Sequence, residues 1–241
     1  MGRSYRFLPV CPSTNDVVRC AAAEGAAEGL LVVADAQSAG RGRLQRAWHS
    51  PAGENLYFSL LLRPPLPVRL VAPLTLLAGA ALAQALARAG AAPRLRWPND
   101  VLLPFGGQMR KAAGILMEMA SEGQNVRATV LGVGVNVNAE HFPPELAERA
   151  TSLALAAGRR FDRGELLADY LAAFETLYDD FVGHGPGRGL ATWRRYADLK
   201  HAPPVRRDGI EGHALDVDET GALLVEDAQG QVHRLTSGEI A

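Results

Sequence analysis

The chain has 241 residues, 48% of them apolar and 21% charged, with a formal net charge of −1. That length and balance describe a globular protein with one large domain and room for a small second one. Near-neutrality argues against a general nucleic-acid binder, which needs a basic face, and no stretch reaches the roughly 20 uninterrupted apolar residues of a membrane span. Residues 66–89 come closest, but Arg69, Gln84 and Arg88 interrupt them at helical spacing. The first ten residues hold two arginines and no apolar core, so no signal peptide is expected. Cys11 and Cys20 form neither a CxxC nor a zinc spacing, and the expected compartment is the cytoplasm.

In chain order, Tyr5–Cys11 reads as a short strand stopped by Pro12, and Ser13-Thr-Asn-Asp16 offers N-cap chemistry before an Ala-rich helix to about Ala27. Leu30–Ala34 is a buried strand. Asn55–Leu62 is another, closed by Arg63-Pro-Pro65. Val68–Ala89 reads as one long apolar helix suited to packing on a sheet. Arg94–Leu103 carries Arg96-Trp-Pro-Asn-Asp100, whose proline breaks any regular element. Lys111–Met119 and Val126–Asn138 make a hairpin through Ser121–Asn125. An irregular patch with Pro143-Pro144 follows, then helices over Arg163–Val182 and Gly189–Lys200 and a linker at His201–Pro204. The remaining residues alternate in short strands with turns at Asp208-Gly209, Thr220-Gly221 and Gln229-Gly230, the pattern of a small antiparallel barrel. The expected class is α+β: residues 1–200 form a mixed sheet with helices packed on it, and 204–241 form the small β-barrel.

Between the strand ending near Asp35 and the one starting at Asn55 lies a segment with no acidic residue, in which Arg41, Arg43, Arg46 and Trp48 are interleaved with Gly40 and Gly42. It has neither a helical nor a strand period. Glycine allows close backbone approach to a ligand, and guanidinium forks suit carboxylate or phosphate. The plainer alternative is a solvated surface loop. Of 25 basic residues only Lys111 and Lys200 are lysines, and a lysine amid such arginine bias marks a place where a compact point charge is needed, unless it is there by chance.

The usual catalytic signatures are missing. There is no GxxxxGK[ST] phosphate loop, no GxSxG elbow and no HExxH zinc site. Gly132-Val-Gly-Val-Asn136 is a weak signal for a dinucleotide. What recurs is polar residues at the ends of apolar strands: Ser13, Thr14, Asn15, Gln37, Asn99, Asp100, Lys111 and Asn136. Ligands collect at such ends, over a rigid sheet. Each residue also has a duller role open to it: Ser13 as an N-cap, Asn99-Asp100 as a turn, Trp48 and Trp97 as packing, Gly132 and Gly134 as close contacts. If two substrates react with each other, no protein nucleophile is required, and orientation plus charge stabilisation suffice.

Taken in order, Ser13-Thr-Asn15, Gln37-Ser-Ala-Gly-Arg-Gly-Arg43 with Arg46 and Trp48, Arg96-Trp-Pro-Asn-Asp100, Lys111-Ala-Ala-Gly-Ile-Leu116 with Glu118, and Gly132-Val-Gly-Val-Asn136 resemble the ordered motifs of biotin–protein ligases. Gly221-Ala-Leu-Leu224 and Ser237-Gly-Glu-Ile240 resemble that family's small SH3-like C-terminal domain. The resemblance implies that biotin's carboxylate attacks the α-phosphate of ATP to give biotinyl-5′-AMP. A lysine of a biotin carboxyl carrier protein or domain then attacks this anhydride. It further implies that Ser13, Thr14, Asn15, Gln37, Gly40, Arg41, Gly42, Arg43, Lys111, Gly114, Gly132 and Gly134 bind biotin. Arg43, Arg46, Trp48, Asn99, Lys111 and Asn136 would meet ATP or the adenylate, and residues 139–152 would sit at the adenine. Lys111, Arg41 and Arg43 would serve catalysis, and Asp100 would help hold Mg2+. Lys200 is expected to be a surface lysine.

Two departures stand out. The lysine usual before Trp-Pro-Asn-Asp is Arg96, and only 12 residues precede Ser13, too few for a winged helix, so a ligase without a DNA-binding module is expected. The arginine segment is expected to be a lid, mobile without ligand and closed over the adenylate. The resemblance admits a homodimer and no nucleic-acid or membrane partner. A lipoate or octanoate ligase or transferase of related fold is the alternative, against which the arginine segment and the C-terminal barrel argue.

Overall fold

A computed structural model describes residues 1–199, 202–207, 209–236 and 238. Lys200, His201, and Ser237, Glu239 and Ile240 of the last motif lie outside them, and with them part of the expected linker and the expected surface lysine.

Strand β1 (Ser4–Cys11), helix α1 (Thr14–Ala23) and strand β2 (Leu30–Gln37) form a β-α-β unit in which the strands run parallel. Strand β3 (Leu56–Leu62) then turns back antiparallel to β2. Helix α2 (Pro73–Arg88) follows, then β4 (Arg94–Arg96), β5 (Asp100–Phe105), β6 (Gln108–Glu122) and β7 (Asn125–Val135). The sheet order is β1-β2-β3-β7-β6-β5-β4, antiparallel except for the first pair. This is the mixed sheet of the expected α+β class.

The period of two along each strand divides its residues between two cores. Leu31 and Val33 of β2, Phe58 and Leu60 of β3, and Leu131, Val133 and Val135 of β7 face the large one. Leu30, Val32, Leu61 and Val130 join Val18 and Ala21 of α1 in a small one on the opposite face. Helix α2 fills the large side with Leu74, Leu77, Leu82 and Leu86, and each fully buried leucine contributes roughly 1.5–3 kcal/mol of transfer free energy. Residues 68–88 are long and apolar enough to cross a membrane by composition, yet α2 buries those apolar residues inside the fold. Helix α5 (Arg163–His184) packs on α2. Its Tyr170 meets Phe58 edge-on at 5.0 Å between centroids and stacks on Phe174 at 5.8 Å. Asp162 caps it by accepting from the amides of Gly164 and Glu165.

Some boundaries differ from the sequence-based expectation. Helix α1 stops at Ala23 instead of Ala27, and the segment expected as one helix from Val68 splits into a 3-10 turn (Val68–Leu70) and α2. Pro73 explains the split, since proline favours the first helical turn and disrupts an interior. Trp97-Pro98, a cis peptide, lies in a tight turn between β4 and β5, so Pro98 separates two paired strands instead of abolishing them. The β6–β7 hairpin is tighter than expected: Glu122 pairs with Asn125, and Gly123 takes φ +60° in the turn. Residues 139–152, expected as irregular, include a short helix α3 (Pro144–Ala147) and lead into α4 (Leu153–Ala157). Helix α6 (Gly187–Tyr196) also ends before its expected limit.

The C-terminal strands β8 (Val205–Arg207), β9 (Ile210–Val217), β10 (Leu223–Asp227) and β11 (Val232–Leu235) form an antiparallel sheet in the order β11-β10-β9-β8. Val205, Ala214, Val217, Leu223, Val225 and Leu235 join the large core. The Trp97 indole donates to the Gly221 carbonyl at 3.0 Å, tying this sheet to the β4–β5 turn.

Candidate active site

A cavity of about 280 Å³ opens on the α1 face of the large sheet. Its floor is built from missing side chains. On β6 and β7, Gly114 and Gly134 are cross-strand partners, and Gly132 pairs with Ser59 of β3. A Cβ on Gly132 would lie 2.1 Å from Asn15 Oδ1, and one on Gly134 would lie 2.4 Å from the Trp48 indole nitrogen. The glycines therefore make the space that Asn15 and Trp48 occupy.

Above this floor runs a continuous hydrogen-bond network. Ser59 Oγ lies 2.6 Å from Asn15 Oδ1 and 2.7 Å from Thr14 Oγ1. A serine has one hydroxyl hydrogen and an amide oxygen only accepts, so Ser59 donates to Asn15 and accepts from Thr14. Asn15 Nδ2 donates onward to Glu118 Oε2 at 2.6 Å. On the other side the Thr14 amide donates to Gln37 Oε1 at 2.9 Å, Gln37 Nε2 donates to Ser50 Oγ at 3.1 Å, and Ser50 donates to the Trp48 carbonyl at 2.9 Å. Thr14 Oγ1 also lies 3.3 Å from Gln37 Oε1; with its one hydrogen given to the shorter Ser59 contact, or to Gln37, the hydroxyl has only lone pairs left to accept from a ligand. Ser13 stands at the N-cap position of α1 but its side chain makes no cap bond. It is buried and lines the cavity instead.

The charged end is organised by Asp100. Its carboxylate holds Lys111 Nζ at 2.5 Å and Arg96 Nη2 at 2.9 Å. Lys111 also lies 5.4 Å from the centroid of Trp48. The backbone of Lys111 is bridged to the segment after α3: its amide donates to Arg149 O at 2.8 Å, and its carbonyl accepts from Thr151 at 2.9 Å. Asn136 Nδ2 donates to Thr151 O at 3.0 Å, fastening the same segment. Phe142, Leu146 and Arg149 thereby form a further wall of the cavity.

The arginine segment folds as a small hairpin over this site. Arg41 bridges Ala47, the Trp48 amide donates to Gly40 O at 2.9 Å, and Gly42 donates to Arg46 O at 2.7 Å. At its tip Leu44 and Gln45 take φ of +55° and +59°, uncommon for residues with a Cβ, and Leu44 is 70% exposed. Arg43 Nη1 reaches the Gly238 carbonyl at 2.8 Å and Asn99 Oδ1 at 3.4 Å. At the base, Arg41 forms two 2.7 Å hydrogen bonds to Asp16. Those bonds, against a smaller desolvation cost, raise the Arg41 pKa and hold the Asp16 carboxyl below the usual range.

The cavity thus gathers Ser13, Thr14, Asn15, Gln37, Arg41, Gly42, Arg43, Arg46, Trp48, Asn99, Asp100, Lys111, Gly114, Gly132, Gly134 and Asn136. Gly40 stands at the hairpin base, outside the residues that line the cavity. A Cβ there would meet Ser50 Oγ at 2.6 Å and Trp48 O at 2.7 Å, so its smallness lets the hairpin base pack closely.

Comparison with known proteins decides the family. Residues 7–136 match the model described as "Biotin/lipoate A/B protein ligase family", and residues 205–241 match "Biotin protein ligase C terminal domain". The chain belongs to the biotin/lipoate A/B protein ligase family. It is 38% identical over 247 residues to the bifunctional ligase/repressor BirA of Bacillus spizizenii, covering all of this chain and 74% of that protein. It is 35% identical to the biotin–[acetyl-CoA-carboxylase] ligase of Paracoccus denitrificans, covering 87% of this chain and 89% of that one. The Aquifex aeolicus biotin protein ligase, solved in complex with biotin and ATP, superposes with a TM-score of 0.83 at 27% identity, covering 99% of this chain and 98% of that one.

Within this biotin/lipoate ligase, two residues of the site escaped sequence reasoning. Ser59 is a lone serine in an otherwise hydrophobic strand, and that interruption was a signal that could have found it. Asp16 looked like helix N-terminal chemistry, and only the fold brings it to Arg41.

Proposed function

We propose that this chain condenses biotin with ATP to biotinyl-5′-AMP and pyrophosphate, then transfers the biotinyl group to a lysine of a carboxylase's carrier protein. The observation that carries the proposal is the cavity's polarity. At one end the Ser59 network leaves an acceptor at Thr14, suited to a ureido N–H. At the other, Lys111 and Arg96 gather around one carboxylate, suited to an anion meeting phosphates.

In the first step a biotin carboxylate oxygen bonds to the α-phosphorus as the bond to the pyrophosphate oxygen breaks. Negative charge concentrates around phosphorus, where the ammonium of Lys111 and the guanidinium of Arg43 stabilise it, Arg46 adding to the cationic wall. Lys111 suits a charge that shifts from carboxylate to acyl phosphate because its point charge follows without a fixed fork geometry. Trp48 and Asn99 border the nucleotide, and Phe142 and Leu146 supply an apolar wall for the adenine. In the second step the acceptor's neutral amine attacks the acyl carbon and AMP leaves. The hairpin carrying Arg41 and Arg43 excludes water from the anhydride meanwhile.

Among the described residues no three of His, Cys, Asp and Glu converge, and Asp100 is the single carboxylate lining the cavity. That donor set fits a magnesium ion brought in on the phosphates, with Asp100 as the protein's ligand. The ion would neutralise phosphate charge. Asp100 itself holds Lys111 in place.

The test is direct. Purified protein with ATP, Mg2+ and biotin releases pyrophosphate and labels a carrier domain, whereas lipoate and octanoate give neither. Lys111→Ala lowers adenylate formation at least 100-fold, in line with loss of a charged transition-state donor. Turnover of octanoate alone would replace this proposal with a lipoate-type activity. We assign the protein to the cytoplasm and to partners other than DNA; self-association is read by sedimentation with and without biotin and ATP.

A further inference from the structure

Asp16 lies outside the residues that line the cavity, yet its carboxylate is the anchor of the hairpin that covers it. Both Arg41 terminal nitrogens donate to it at 2.7 Å in the bidentate geometry that charge-assisted pairs favour. The pair joins two elements far apart in sequence, the first turn of α1 and the base of the hairpin. Its second oppositely charged neighbour, Glu118, stands 3.9 Å from the same guanidinium and is itself occupied by Asn15. Arg19, itself exposed, donates to Asp16 Oδ1 from the next helical turn at 2.6 Å, while Arg41 holds both carboxylate oxygens on its own. The other attachments of the hairpin base are main-chain bonds to the end of β1, from Ser38 to Cys11 O and from Ala39 to Pro12 O. These precede the bridged part of the hairpin, whose far side is held separately by Arg43 on the Gly238 carbonyl at 2.8 Å, so Asp16 is the side-chain anchor at the base. The tip, with Leu44 and Gln45 in left-handed conformations, has no buried residue to hold it down.

We propose that Asp16 is a positioning residue that latches Arg41, and through it the hairpin, in the closed arrangement, so that its charge sets how long the reactive adenylate is retained. This rests on the proposed ligase function. A purely structural role is the competing explanation: Asp16 also sits where a carboxylate favours a helix N-terminus and forms an i,i+3 pair with Arg19. The two differ in what they predict. Because both partners of the latch are about a quarter exposed, salt weakens it.

The experiment preloads the enzyme with labelled biotin and ATP-Mg2+, chases with unlabelled biotin, and follows release of biotinyl-AMP at low and high salt. Asp16→Asn releases the adenylate about 10-fold faster than the parent at low salt, and the gap between the two narrows at high salt. Asp16→Glu restores slow, salt-sensitive release, and Arg19→Gln, which removes only the helical pair, behaves as the parent. Release from Asp16→Asn within twofold of the parent would overturn the latch. So would equal acceleration in Asp16→Asn and Arg19→Gln accompanied by a lower melting temperature, which is the signature of helix support. Failure of the parent to form biotinyl-AMP at all would instead remove the ligase function, and the latch with it.

Discussion

Ser59 joins Thr14 and Asn15, two residues that line the cavity, without touching its charged end. A single hydroxyl between Thr14 and Asn15 fixes which way the Thr14 hydroxyl and the Asn15 amide oxygen are engaged. Ser59→Ala frees the Thr14 hydroxyl to donate and leaves Asn15 Oδ1 without its donor. The cost is about 1–2 kcal/mol, or roughly a five- to thirtyfold weaker affinity for biotin. The KM for ATP stays unchanged, because the nucleotide end shares none of these bonds. Titration calorimetry with biotin and steady-state kinetics in ATP measure the two separately, and an equal loss on both sides would contradict this division. Lys111 was legible from composition, since a lysine amid 23 arginines invites a reason. Ser59 was less so, because a serine in a buried strand is visible in sequence while its partners on α1 are not.

At the scale of elements, the polar turns carry chemistry that strands alone lack. The β9–β10 turn is built on Asp218, whose Oδ1 accepts from the Thr220 hydroxyl and from the amides of Thr220 and Ala222, while Arg234 donates to Oδ2. Burial raises its pKa, but these bonds outweigh it and take the carboxyl from an ordinary 3.8 down to about 2. A folded value below the unfolded one means that the stabilisation is present in full above the unfolded pKa and is lost as pH falls through the folded one. The expected contribution is on the order of 1–2 kcal/mol at neutral pH. Urea unfolding of Asp218→Asn against the parent should show that gap at neutral pH and its disappearance as the pH drops from 3.8 to about 2. A gap that persisted at the acid end would show that the charge is not its source. The turn itself was legible at Thr220-Gly221. The end of α1 and the split before α2 were not, because helix ends answer to tertiary packing as well as local propensity.

At the scale of the whole molecule, the hairpin, the segment after α3 and the C-terminal sheet converge on one face from three parts of the chain. Arg43 touches Gly238 and Lys111 is stapled to residues 149 and 151. Ordering the roughly 10 residues of the hairpin costs on the order of 10–20 kcal/mol in backbone entropy, and its exposed tip contributes little burial to offset that. Amide exchange in residues 39–48 is therefore expected to be fast in the protein alone and strongly slowed by biotin with ATP, read by mass spectrometry; equal protection in both states would mean that the hairpin is not a lid.

The kinds of chemistry this protein commands are written in its sequence: an ordered series of polar breaks, an arginine-glycine segment, one well-placed lysine, and glycines in two strands. These are local properties, carried by residue type and spacing. Tertiary structure alone decided that Gly114, Gly132 and Gly134 form a floor for Asn15 and Trp48, that Gly40 lets the hairpin base pack closely, that Ser13 faces the cavity, and that Asp16 holds Arg41. The physical reason is that a strand's period of two separates its faces without saying what covers each, and contacts between α1, β3 and the hairpin join residues that only the folded sheet brings within hydrogen-bonding distance.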